Sequence, residues 1–524
     1  MIKTDFMIIK KYTIAIITAA FTLFATGCSE DFLDKKPSQR LSSEQIAAAS
    51  ETDPTLLLGS VAGLYSTMYN TETGGTTGHD DFGQKGYDIF SDMLSSDMVL
   101  GALVYGWYSN VARYQATRDF TSNSAYQPWR YYYRIILSAN AIIEVLDATE
   151  GWEEERLQRN IMGQAKAMRA YSYFYLANFY STGYGDGTAP ILPIYTNTTD
   201  PNQGLSTAAE VYDLIISDLT EAADLLADFN RASKEQVNRW VAKGLLAYAY
   251  AARGTDADLD QVIAITEDII SNGGFRLVNE EEVVAKFDPD SKALLSSASG
   301  FNTVSNPSWM WGVDLTLANN LDLVSWWGQI DLFTYSYAWA GDPKVIDAAL
   351  YEAIREDDLR KQQFVDVMGD DLYWPINKFH ASVRTVENDE DNEWGLQRSI
   401  IDDYVYMRLE EMVLLNAEAK AKRGQDDDAR EMLKTLLDLR IEDYSYVDAL
   451  AGQALQDEIY LQTRIELWGE GKSYLAMKRN KATITRGENH LFFPGESFSY
   501  DAEELTFPIP QAEILNNPNL NGGN

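Results

Sequence analysis

The chain has 524 residues, of which 45% are hydrophobic and 23% charged, proportions that exclude a disordered, collagen-like or polytopic membrane protein. Lys and Arg number 43 against 79 Asp and Glu, giving a formal net charge of −36, which argues against a basic nucleic-acid-binding face. One cysteine excludes a disulfide framework and a thiolate zinc cluster.

The chain opens with an address. Lys10 and Lys11 precede an apolar run from Tyr12 to Phe24, and Ala25, Thr26, Gly27 and Cys28 follow. A basic stretch, a short apolar stretch and small residues make a secretory signal over residues 1–27. The lone cysteine falls at the position a bacterial lipobox requires, so Cys28 is the expected lipidation site. Its acyl chains would anchor the mature chain, 28–524, to a membrane.

Helical spacing dominates residues 38–70, 127–275 and 400–480. Ser43 is the expected cap of a helix running toward Tyr65, and Gln127-Pro128 the start of another. Ile161, Ala165, Met168, Ser172, Tyr175 and Phe179 share one face of a long helix that stops before Gly183 and Gly185. Thr207 caps a helix holding Val211, Leu214, Ile215, Leu219, Ala222 and Leu226. Residues 239–252 are Ala-rich and predict a buried helix ended by Arg253-Gly254. Tyr404 to Arg423 repeats that design and is closed by Gly424. Trp240–Gly254 followed by Leu259–Ile270, and Asn416–Gly424 followed by Ala429 and Leu433, have the outline of tetratricopeptide units. The predicted fold class is therefore mainly α, a tetratricopeptide-like helical repeat scaffold packed with a loop-rich variable half. Periodicity fades over 71–126 and 280–400, where Gly, Asn, Asp, Ser and Trp become frequent, and 481–524 reads as an irregular C-terminal segment.

Catalytic signatures are sparse. His79, His380 and His490 lie far apart in sequence, and no H-x-x-x-H pair occurs. Gly183, Gly185 and Gly187 miss the dinucleotide spacing because Thr188 follows, and Gly471-Lys472-Ser473 lacks the earlier glycine of a phosphate loop, since Glu466 stands there. Acidic pairs such as Glu410-Glu411 and Asp402-Asp403 read as solvated helix faces and caps, and no cofactor or metal is expected.

Aromatic clustering inside the loop-rich regions is the stronger signal. Tyr105, Trp107, Tyr108 and Tyr114 form one group; Trp309, Trp311, Trp326, Trp327, Phe333, Tyr335, Tyr337 and Trp339 form another. Much of this stock is core. The functional reading is a platform on which a flat ligand such as a sugar ring stacks. Tyr105, Trp107 and Tyr108 are the expected first wall, and Trp326 and Trp327 with Tyr335 or Trp339 the second.

The ordered motifs of the mature chain resemble those of the SusD/RagB family of surface nutrient-binding lipoproteins. They are Asp31-Phe32-Leu33-Asp34 with Pro37, Gly163 to Leu176, Pro190 to Pro193, Val211 to Ala222 and Trp240 to Ala247. Tyr404 to Ala419, Arg464-Ile465-Glu466-Leu467-Trp468-Gly469-Glu470-Gly471 and Phe507-Pro508-Ile509-Pro510 complete the series. The acidic residues after Cys28 are similar to the surface-export signal of Bacteroidetes lipoproteins. The resemblance implies an outer-membrane, cell-surface glycan-binding protein, not an enzyme, whose partners are a glycan and a SusC-like TonB-dependent transporter. It implies that the quoted motifs build the scaffold, with Arg169, Glu466 and Glu470 as buried charge partners. A peptide-capturing lid and a helical surface glycoside hydrolase or lyase are the alternative readings.

Overall fold

The computed structural model describes residues 49–50, 53–288, 294–296, 299–382, 384 and 398–520. The expected signal segment, Cys28 and the expected Ser43 cap lie outside these residues. The chain divides into residues 1–57 and 58–524. In the first unit, the turn Pro54–Leu56 is held by the Asp53 carboxylate, which accepts the Thr55 amide at 3.1 Å.

The second unit is mainly α. Its principal helices are α1 (Leu57–Thr67, entering from the first unit), α2 (Gln84–Leu94), α3 (Asn123–Asp147), α4 (Arg156–Phe179), α5 (Ala208–Leu225), α6 (Arg239–Arg253) and α7 (Asp256–Asn272). Later come α8 (Leu409–Lys422), α9 (Asp426–Leu437), α10 (Gln453–Glu466), α11 (Ser473–Asn480) and the short α12 (Gln511–Asn516). From α3 to α7 each helix packs on the next; α7 then packs on α8, and α8 on α9. Small residues permit this. Ala417, Ala421 and Ala429 share one core with Leu433, Leu436, Leu437, Leu455 and Ile459 from α9 and α10.

Local chemistry sets the helix ends. Thr207 and Glu210 form a reciprocal cap on α5, and Thr255 and Asp258 do the same on α7. Gly254, at φ 70°, ends α6 in the left-handed region that glycine tolerates best. The start of α3 differs from expectation. Ser122, not Gln127, is the cap, and Pro128 sits inside the helix, where its missing amide removes one backbone bond.

A second correction falls on residues 404–408. They form strand β4 (Tyr404–Arg408), antiparallel to β2 (Trp309–Val313), and only at Leu409 does α8 begin. Every residue of both strands is buried, so no period-two alternation marks them in the sequence. The other ladder used below joins β1 (Met98–Leu100) to β3 (Lys344–Ile346), over a core of Val99, Leu332, Phe333, Ala338, Val345, Trp374 and Ile376.

Buried charge ties the two kinds of structure together, and it includes the acidic pairs Glu410-Glu411 and Asp402-Asp403, which are buried rather than solvated. Arg169 on α4 donates two bonds to Asp218 on α5, at 2.7 and 2.8 Å, and a third to Asn140 on α3 at 2.9 Å. Glu466, at the end of α10, accepts from Arg360 at 3.1 Å, Arg408 at 2.8 Å and Arg440 at 3.0 Å. Glu470 accepts from Arg408 at 2.8 Å and pairs with Lys378 at 2.9 Å. Arg464 reaches back to Asp97 beside β1, at 2.9 Å, and the Trp468 indole donates to the Asp97 carbonyl at 2.7 Å. Gly471, at φ 70°, passes so close to Asp88 that an added Cβ would lie 2.5 Å from its carboxylate. The motif from Arg464 to Gly471 is therefore the hub joining α2, α8, α10 and the 340–380 segment.

Candidate functional site

The site rises from the β1–β3 ladder. The chain leaves β1 at Leu100 and turns outward through Leu103, Val104 and Tyr105, all exposed. One buried side chain fixes this excursion. The Asp342 carboxylate accepts the backbone amides of Val104, Tyr105 and Gly106 at 2.6, 3.0 and 2.7 Å. Gly106, at φ 78°, completes the turn. The Lys344 ammonium, buried below, donates to Gln329 at 2.8 Å and to the Asp342 carbonyl at 3.0 Å. Burial pushes that amine down to about 7. Gln329 in turn donates to the His79 carbonyl at 2.9 Å.

On this base stands a connected set of rings. Trp107 stacks on His79 with centroids 5.1 Å apart and planes within 5°. Tyr337 meets Trp107 edge-on at 6.0 Å and Tyr105 edge-on at 5.3 Å. Its hydroxyl contacts His79 Nδ1 at 2.5 Å. Burial raises the Tyr337 phenol above its usual value, so it keeps its proton at neutral pH. Tyr105, 63% exposed, forms the open edge. Tyr335 and Trp339 lie 6.0 Å apart, Trp339 is 41% exposed, and the Arg398 guanidinium sits 4.0 Å over the Tyr335 ring. The Trp339 amide bonds to Ser336 Oγ at 2.9 Å, which fixes that turn.

The two aromatic groups of the sequence thus meet, but through a different subset of residues. Tyr105 and Trp107 join the Tyr335–Trp339 segment by way of Tyr337. Tyr108, Trp326 and Trp327 do not belong to the exposed surface; they are 1%, 1% and 0% exposed. Tyr108 turns inward at φ 69° and lies edge-on to Phe90 at 5.5 Å, with Lys344 over its ring. Trp326 packs on Phe379 at 5.4 Å, with the Lys85 ammonium 4.2 Å above it. The Trp327 indole donates to the Asp402 carbonyl at 2.8 Å. Adjacent tryptophans are both buried because Trp326–Ile330 is a single helical turn enclosed on all sides. Sequence reasoning passed over His79, Tyr337 and Asp342 as site residues. Tyr337 was legible as one of the clustered aromatics, but nothing local links position 79 or 342 to 105.

His380 and His490 have other surroundings. His380 is buried beside Asn302 and pushed down to about 4, and His490 faces Asp347 at 3.1 Å. Among the described residues no group of three or more His, Cys, Asp and Glu could hold a metal ion, and no helix is long and apolar enough to cross a membrane. The arrangement joins aromatic rings to a phenol, an imidazole stacked on Trp107 and a guanidinium lying over Tyr335, which suits orientation of a polyhydroxyl ligand.

Comparison with known proteins identifies the class. Residues 31–253 match the family described as starch-binding associating with outer membrane, and residues 362–524 match the SusD family. The chain belongs to the SusD/RagB family. A SusD-like protein of Bacteroides ovatus is 26% identical over 53% of this chain; the match covers 48% of that relative, so the chain spans about half its length. A solved SusD-like carbohydrate-binding protein from Bacteroides vulgatus shares the fold with a TM-score of 0.70 and 24% identity, covering 88% of this chain and 96% of the other. A further structure, solved with xylogluco-oligosaccharide, aligns at a TM-score of 0.60 and 16% identity over 89% of this chain and 98% of its own.

Proposed function

We propose that this protein is a lipid-anchored glycan receptor of the outer cell surface. It captures oligosaccharides on the platform of Tyr105, Trp107, Tyr335 and Trp339 and passes them to a SusC-like TonB-dependent transporter without cleaving them. The observation that carries the reading is the rigid seating of exposed and half-buried rings: Asp342 holds the 104–106 turn, while His79 and Tyr337 fix the Trp107 plane. A ring ordered before binding loses little freedom when a sugar stacks on it. The saccharide-bound relative of the same fold supports the ligand class, and the lipobox at Cys28 supports the anchor.

The test is affinity gel electrophoresis of the soluble chain, lacking residues 1–28, against a panel of neutral and acidic polysaccharides. Retardation by a glycan whose reducing ends do not increase supports capture. Release of reducing ends would move the reading to a hydrolase or lyase. Retardation by none, with saturable binding of a peptide mixture, would make peptide the cargo. Co-purification of a large barrel with the anchored protein is the check on the transporter.

A further inference from the structure

A second concave surface lies away from the aromatic platform. It is a cleft of about 580 Å³ between one face of α3, the 195–202 loop and α12. Tyr126, Arg130, Tyr133 and Arg134 all line it; Tyr126, Tyr133 and Arg134 each lie three or four residues from Arg130 on α3 and so neighbour it on the helix surface.

The charges of this cleft are unevenly used. Its Asp200 carboxylate already accepts the amides of Thr196 and Asn197 at 2.8 and 2.9 Å, and the side chain of Asn197 at 3.1 Å. Its Glu513 carboxylate accepts from the Trp129 indole at 3.3 Å and from Asn517 at 3.0 Å. The two arginines are exposed and form no ion pair among the described residues. In a chain of net charge −36, two neighbouring guanidiniums with no ion pair among the described residues stand out. Arg130 is also positioned. It donates to the Tyr126 hydroxyl at 3.2 Å, and its side chain crosses Gly75, where a Cβ would lie 2.2 Å from its Nε. The Tyr133 ring is fixed by its hydroxyl, which donates to the Pro193 carbonyl at 2.8 Å.

We propose that this cleft is a second binding site, for a saccharide bearing a carboxylate. Arg130 and Arg134 take the carboxylate, which matches the planar fork of guanidinium donors, and Tyr126 and Tyr133 flank the sugar ring. The ligand class rests on the glycan-capture reading; the location of the site and its preference for an anion do not.

Calorimetric titration of the full soluble chain with trigalacturonate, and with maltotriose as the neutral control, tests this. The wild type should bind trigalacturonate more tightly than maltotriose, and 0.5 M salt should weaken that binding. The double variant Arg130→Ala/Arg134→Ala should lose at least tenfold in affinity with an unchanged melting temperature, since both side chains are exposed. Trp107→Ala should retain the saturable, salt-sensitive trigalacturonate binding that the double variant loses, which separates this cleft from the platform even if the platform reading fails. Absence of saturable trigalacturonate binding, or binding unchanged in the double variant, overturns the proposal. So does loss in Trp107→Ala alone, which would place the ligand on the platform. Tighter binding of the tripeptide Gly-Gly-Glu, lost in the double variant, would overturn the saccharide assignment.

Discussion

Trp107 and Trp326 read alike in the sequence, yet their surroundings predict opposite phenotypes. Trp326 is 1% exposed, packs on Phe379 and lies under the Lys85 ammonium. Truncation to Ala removes a fully buried indole, and such changes cost about 3–5 kcal/mol through lost transfer energy and the cavity left behind. The Lys85 charge loses its ring at the same time; a desolvated cation–π contact contributes about 2 kcal/mol. Lys85 keeps Asp88 at 2.9 Å, which moderates that second part. Trp326→Ala should therefore lower stability by about 4 kcal/mol. Trp107 is half-buried, and the contacts truncation removes are the His79 stack and the Tyr337 edge. Each aromatic contact contributes about 0.5–1.5 kcal/mol, so losing the two should lower stability by about 1–3 kcal/mol. Its main effect should be on glycan affinity, a loss of about 10- to 100-fold, since each factor of ten is about 1.4 kcal/mol of stacking. Urea unfolding gives the first quantity and affinity electrophoresis on the retarding glycan the second. A stable Trp326→Ala that binds weakly, beside a Trp107→Ala that binds normally, would refute this assignment of core and platform.

Three further outcomes follow from the same geometry. Glu466→Gln leaves Arg360, Arg408 and Arg440 facing one another around a neutral amide, and breaking such a buried pair costs about 3–5 kcal/mol; an unchanged urea midpoint would show that the network is dispensable. Glu418 and Glu470 are held down to about 2 by neighbouring cations, Arg479 with Lys422 and Arg408 with Lys378. Because these folded-state values lie below the unfolded one, their stabilisation is complete above about pH 4.5 and is lost as pH falls toward 2, on the order of 3 kcal/mol for each group. Urea midpoints between pH 5 and 2 should therefore fall more steeply for the wild type than for Glu418→Gln. Asp342→Asn places an amide donor against the Val104 and Gly106 amides, so hydrogen exchange at 104–106 should accelerate at least tenfold while glycan affinity drops. Exchange at the wild-type rate would mean that the turn holds itself.

Much of the scaffold was legible because helices write their packing locally. Spacing marks Ile161, Ala165, Met168, Ser172, Tyr175 and Phe179 of α4 as buried, though the tertiary structure buries nearly every side of that helix from Asn160 to Phe179, and Thr207 and Gly254 mark helix ends by residue chemistry that acts over one turn. Arg169, Glu466 and Glu470 could be expected as buried partners because an unpaired interior charge is too costly to keep. Strand β4 was not legible, since a strand buried on both faces has no alternation and its partner β2 lies almost a hundred residues away.

What the sequence by itself determined is the mainly α scaffold, the order of motifs that places the chain in the SusD/RagB family, and the presence of aromatic groups in its loop-rich parts. Which rings face solvent was decided by the tertiary structure. Tyr105 and Tyr108 are three residues apart; one is held outward by Asp342, more than two hundred residues further along the chain, and the other is turned beneath Phe90. That Arg130 and Arg134 form no ion pair among the described residues is likewise a tertiary fact, since the Glu513 carboxylate beside them is brought from the far end of the chain and already accepts from the Trp129 indole. Exposure and charge pairing are properties of neighbours in space, and here those neighbours come from distant parts of the chain.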